Sequence, residues 1–126
     1  MSIQIQPAPA TDEATVITKA TLRAAARLGL TSKALATVIG VSEATVSRMR
    51  SGAYQLQRGQ KPFELAVLFV RLYRSLDAIL GGDDSAAAAW LKARNTTLDA
   101  EPLTLIQTLQ GLVNVIQYLD ARRAVV

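Results

Sequence analysis

Apolar residues recur at steps of three and four along nearly the whole chain, and the elements this spacing predicts are helices. Ile17, Ala20, Ala24 and Leu28 form one stripe, introduced by Thr11-Asp12-Glu13, a capping residue followed by acids at the positive end of a helix dipole. Two short helices are expected next, over 31–39 and 42–50. A long helix follows, with Leu65, Phe69, Leu72, Leu76 and Ile79 as its buried stripe and Leu68, Tyr73 and Leu80 widening it. Pro62 suits its first turn, where the missing N–H costs nothing, and Gly81-Gly82 ends it. Asp83-Asp84-Ser85 open a short helix over 86–94 carrying Trp90 and Leu91, which Asn95 closes in a left-handed conformation. Pro102 then begins a helix with Leu105, Ile106 and Leu109, Gly111 interrupts, and Leu112, Val115, Ile116 and Leu119 make a last amphipathic helix ending near Arg123. No alternating strand pattern persists, so the fold class is all-α. The expected organisation is a flexible tail over 1–10, a helix-turn-helix bundle over 11–80 and a small three-helix domain over 81–126, with 53–61 a polar connection.

Residues 28–52, LGLTSKALATVIGVSEATVSRMRSG, fit a helix-turn-helix at nearly every constrained position. Leu35, Ala36 and Ile39 share one face of the first helix. Ala36 is small where two steeply crossed helices approach closely. Gly40 stands where the turn needs positive φ, Val41 packs beneath it, and Ser42 caps the next helix. Val46 and Met49 point back at the first helix. The bland alternative is a helical hairpin whose Gly-Val-Ser link is only a loop.

In such a motif the N-terminal half of the second helix enters the DNA major groove. Arg48 then suits a bidentate contact to guanine, worth about 1–3 kcal/mol of discrimination. Ala44 suits a thymine methyl, Ser47 is uncommitted, and Glu43 either accepts from a cytosine amino group or caps its own helix. Thr31, Ser32 and Lys33, at the start of the preceding helix, suit phosphate, as does Arg50. With Ser42, these nine residues are the expected DNA-binding set. Tyr54, Arg58 and Lys61 either extend the phosphate footprint or belong to ordinary surface packing. One motif covers half a site, so a homodimer on operator DNA is expected.

Composition sharpens this picture. The chain has 126 residues and a net charge of +4, but the charge is uneven. Residues 19–74 carry ten Lys/Arg against only Glu43 and Glu64, whereas residues 75–126 carry four against six acids. Positive charge therefore gathers around the helix-turn-helix, as phosphate binding requires. Cysteine and histidine are absent, which removes disulfides, thiolate metal sites and the commonest general base. No enzyme activity, metal, cofactor or small-molecule substrate is expected. MSIQIQPAPA lacks the basic start and apolar run of a secretory signal, and the most apolar window, Leu65 to Val70, is too short to span a bilayer. A cytoplasmic protein without membrane contact is expected.

Taken alone, residues beyond 81 form a unit with one Trp that completes the core or dimerises the chain. The row WLKARNTTLDAEPLTLIQTLQGLVNVIQYLD, however, resembles the toxin-binding domain of the Xre/MbcA/ParS antitoxins. The matching positions are Trp90, Leu91, Asn95, Leu98, Pro102, Leu105, Gly111, Val115 and Leu119. RLYRSLDAILGGD resembles the family's junction segment, behind an Xre-type helix-turn-helix. The resemblance implies a type II antitoxin that neutralises a cognate RES-domain toxin, an NAD-consuming enzyme, and represses its own operon. Within that reading the toxin-binding residues are Tyr118, Arg122, Arg123, Val125 and Val126, with a guanidinium placed for a phosphate or catalytic carboxylate. A frayed terminus with two solvated arginines is the alternative. Trp90 is expected in the core, and Asn95 and Gly111 as backbone devices for a helix end and a bend. The competing function is a solitary helix-turn-helix repressor whose C-terminal half only dimerises.

Overall fold

A computed structural model of the protein describes residues 8–124, with side-chain environments from Glu13 onward. The chain order is α1 (Ala8–Leu28), α2 (Ser32–Ile39), α3 (Glu43–Ser51), α4 (Lys61–Ile79), α5 (Asp84–Lys92), α6 (Pro102–Leu105) and α7 (Leu109–Ala124). The described residues contain no strand, only an isolated bridge between Asn95 and Ala100. The all-α expectation holds.

α1 begins at Ala8, three residues before the expected start at Thr11 and inside the stretch read as a tail; residues 1–7 lie outside the described residues. Its buried line is Ala14, Thr18, Thr21, Ala24, Ala25 and Leu28, while Ile17 and Ala20 are only half-buried. Small residues face inward because α4 lies close along this side. Thr18 has a further task. Its hydroxyl donates to the Ala14 carbonyl at 2.7 Å and accepts the Leu56 N–H at 2.9 Å, satisfying a buried amide outside any helix. The 53–61 connection is thereby pinned. Leu56 is fully buried, Gln55 Nε2 donates to Thr15 Oγ1 at 2.8 Å, and Arg58 pairs with Glu13 at 2.9 Å.

α4 is the central element and packs against α1, α2 and α7. Having neighbours on several sides, it buries Phe63, Ala66, Phe69, Val70, Leu72, Tyr73, Ser75 and Leu76. The expected stripe is rotated accordingly: Leu65 and Leu68 are half-buried, and Ile79, in the last turn, is 38% exposed. One apolar core runs from Ala24 to Leu119 and passes through α4 without interruption.

Beyond α4, Asp83 Oδ1 accepts the Ala86 N–H at 3.0 Å and caps α5. That helix stops at Lys92 with Ala93 extended, and the left-handed residue nearby is Asp99 (φ 60°), not Asn95. Asn95 instead closes the 95–100 loop. Its N–H donates to the Ala100 carbonyl at 3.0 Å, and its side-chain oxygen accepts the Leu98 N–H at 2.9 Å. Gly111 does not interrupt a helix either. The break lies at 106–108, between the single turn of α6 and the start of α7, with Gly111 inside α7. A Cβ there would stand 1.9 Å from the Leu105 carbonyl oxygen, so only glycine lets α7 press against the end of α6.

Candidate DNA-reading helix and C-terminal cleft

The helix-turn-helix is assembled by its caps. Thr31 Oγ1 accepts the Ala34 N–H at 3.0 Å to start α2. Gly40, at φ 76°, ends it, with its own N–H and that of Val41 both donating to the Ala36 carbonyl. Ser42 Oγ then accepts the Thr45 N–H at 3.1 Å and starts α3. Leu35, Ala36, Val38 and Ile39 on α2 are buried, as are Val46 and Met49 on α3. This leaves Ser42, Glu43, Ala44, Ser47, Arg48 and Arg50 exposed along α3.

Of the expected DNA-facing residues, the fold joins two directly. Arg50 Nη1 donates to Ser32 Oγ at 2.6 Å, tying the end of α3 to the start of α2. Lys33 is exposed beside them. Thr31 and Ser42 spend a side-chain oxygen on capping, and since the cap of α3 is Ser42, Glu43 stands free at the positive end of the helix dipole. Arg48 Nη2 donates to Thr45 Oγ1 at 3.0 Å, which holds the guanidinium along the helix surface. Thr45 was not among the expected residues; its signal was the i, i+3 spacing to Arg48.

The C-terminal half presents a cleft of about 340 Å³ between α5, α7 and the 93–97 segment. Trp90 and Tyr118 stack on its wall, with ring centroids 6.3 Å apart and planes 20° from parallel. The Arg122 guanidinium carbon lies 5.6 Å from the centre of the Tyr118 ring. Asn95 Nδ2 approaches the Tyr118 hydroxyl at 3.5 Å. Trp90 is therefore a half-buried cleft wall rather than a core residue, because Leu91, Ile106, Leu112, Val115 and Leu119 already fill the interior. The cleft thus gathers Trp90, Asn95, Tyr118 and Arg122, of which the sequence reading singled out Tyr118 and Arg122 for binding.

Arg123 points elsewhere. Its Nη1 donates to Ser75 Oγ at 3.1 Å, Ser75 donates to Asp120 Oδ1 at 3.2 Å, and Arg71 pairs with Asp120. This network fastens α7 to α4. Val125 and Val126 lie outside the described residues. A second polar junction ties α1 to α4 and α5. Arg27 Nη1 donates to the Tyr73 hydroxyl at 3.1 Å, and that hydroxyl faces Asp77 and Asp84. The Tyr73 hydrogen bond, helped by the two carboxylates, raises the pKa of Arg27 above its ordinary value.

Among the described residues no cluster of carboxylates fits a metal ion, and no helix is long and apolar enough to cross a membrane. Residues 7–71 match the family model of the antitoxin Xre-like helix-turn-helix domain, and residues 75–124 match that of the antitoxin Xre/MbcA/ParS C-terminal toxin-binding domain. The two matches meet inside α4. No curated protein matches the chain by sequence. The first match alone spans more than half of the chain, which therefore belongs to the Xre-like helix-turn-helix antitoxins and carries their C-terminal toxin-binding domain behind the DNA-binding one.

Proposed function

We propose that this antitoxin neutralises a RES-domain, NAD-consuming toxin through its C-terminal cleft and represses its own operon, as a homodimer, through α3. The reading is carried by the Trp90–Tyr118–Arg122 stack, which sits within the stretch matching the toxin-binding domain. Stacked rings with a cation over one of them offer large contact area at low conformational cost, as binding hot spots do. Arg122 is the guanidinium offered to a toxin carboxylate or a bound phosphate. Val125 and Val126, which follow in the sequence, are assigned to the same contact, and Arg123 holds α7 against α4.

For DNA, Arg48 leaves Thr45 to reach a base, with Glu43, Ala44 and Ser47 beside it in the groove. Ser42 and Thr31 present helix N-termini to phosphate while Ser32, Lys33 and Arg50 supply donors and charge. The deciding experiment is co-expression with the protein encoded by the adjacent reading frame, followed by co-purification and growth rescue. Rescue by the full chain and its weakening in Arg122→Ala are expected. An adjacent product that neither binds nor harms growth would leave a solitary repressor as the better description.

A further inference from the structure

Neither α3 nor the C-terminal cleft uses the groove between α1 and α4. Its floor is apolar and partly open: Val16 is 61% and Val67 39% exposed, and the buried Val70 lines the hollow with them. Arg71, Arg74 and Arg123 line the same hollow. A second hollow shares Val70 and Arg74 with it and adds Arg23 and Arg27, with Asp77 as its one acid. The two hollows form one trough, valine-floored and edged with guanidinium groups. Arg23 and Arg74 form no ion pair or side-chain hydrogen bond among the described residues, so their charge is uncommitted.

The character of this trough decides its occupant. Duplex phosphate would satisfy the arginines but leave the valines against a polar backbone. A second copy docked about a two-fold axis would set the patch against itself, bringing like-charged guanidinium groups together across a desolvated contact. An apolar stripe flanked by carboxylates suits both parts at once. Its aliphatic side chains cover Val16 and Val67, and its carboxylates take paired hydrogen bonds from Arg23 and Arg74. A helix offers that stripe at steps of three and four, the usual mode for a helix laid in a groove. We propose that the α1–α4 trough is a docking site for an acidic, apolar-striped helix of a protein partner, separate from the C-terminal cleft. The assignment does not depend on which toxin the cleft meets.

The test uses the full chain and a labelled synthetic helical peptide with a Leu/Val stripe flanked by glutamates, against its counterpart carrying lysines instead. The acidic peptide binds at least about tenfold tighter, and the exposed pair of substitutions R23E/R74E reverses that preference. Val67→Asp, which sets a carboxylate one turn before Arg71, weakens the acidic peptide with every arginine retained. R23Q/R74Q weakens duplex DNA binding less than Lys33→Gln does. Equal binding of the two peptides, or an unchanged preference in R23E/R74E with an intact helical spectrum, overturns the proposal. A larger duplex loss in R23Q/R74Q than in Lys33→Gln reassigns the trough to nucleic acid. A dimer that Val67→Asp turns into a monomer reassigns it to a second copy. Because no toxin enters this assay, its failure leaves the proposed neutralisation standing.

Discussion

The Arg122 guanidinium stands over the Tyr118 ring, 5.6 Å from its centre, one helical turn further along α7. Tyr118 in turn stacks on Trp90 from α5, so a cation and two rings form a single pile across two helices. At an exposed site the cation–ring contact is worth about 0.5–1 kcal/mol, too little to explain the pile by stability alone. Arg122→Ala is therefore expected to leave the melting temperature within a few degrees of the parent while weakening toxin binding about tenfold or more. Calorimetric titration against the purified toxin, beside a thermal melt, separates the two effects.

Arg48 shares no contact with that pile. Arg48→Ala should weaken operator binding by about 1–3 kcal/mol while toxin neutralisation persists. Electrophoretic mobility shifts and a growth-rescue assay on the same variant check this. Equal loss of both would show that the two tasks are not divided between α3 and the cleft.

Operator affinity should also fall linearly in log–log form with salt, by about one unit of slope for each phosphate neutralised. Lys33→Gln should reduce that slope by about one. A flat response measured by anisotropy over a range of salt concentrations would remove the phosphate contacts assigned to the start of α2.

Thr18→Val keeps the shape of the side chain but strands the buried Leu56 N–H. Leaving such a donor unsatisfied costs about 1–3 kcal/mol. Hydrogen exchange is expected to speed up across 53–61 well before the rest of the chain. A uniform change along the chain would show that the threonine does not pin this connection.

Gly111→Ala is expected to be the most damaging single methyl group. The added carbon meets the Leu105 carbonyl oxygen, which is backbone and cannot swing aside. A loss of about 3 kcal/mol, at the upper end of ordinary overpacking, should show in chemical denaturation. The reverse change at an exposed position of α7, Ala121→Gly, should cost only about 1 kcal/mol.

The helices and the turn between α2 and α3 could be read from residue types because their determinants are local: Thr31, Gly40 and Ser42 act on amides within four positions. The contact of Arg122 with the Tyr118 ring is local in the same way, the two lying one turn apart on α7. The places of Trp90 and Leu56 were not legible in this way. Whether a large apolar side chain fills the core or walls a cleft depends on what else already fills that core, which is long-range information. Leu56 looked like one apolar residue in a polar link, and its burial depends on a hydroxyl 38 positions earlier. Gly111 was recognised as special for the wrong reason. A bend and a backbone contact leave the same mark in a sequence, and only the neighbour at Leu105 distinguishes them. The rotated face of α4 follows from its several packing partners, since a helix surrounded on most sides has no single stripe.

Because α4 is a shared wall, cutting the chain at Gly81-Gly82 would not yield two self-sufficient pieces. The front piece would expose the side of α4 that α7 covers, and the rear piece would lose the surface on which α5 and α7 rest. One cleavage, or one void opened at Phe69, would therefore disable the DNA-binding helix and the toxin-binding half together. The molecule fails as a unit, and its two halves share a single lifetime.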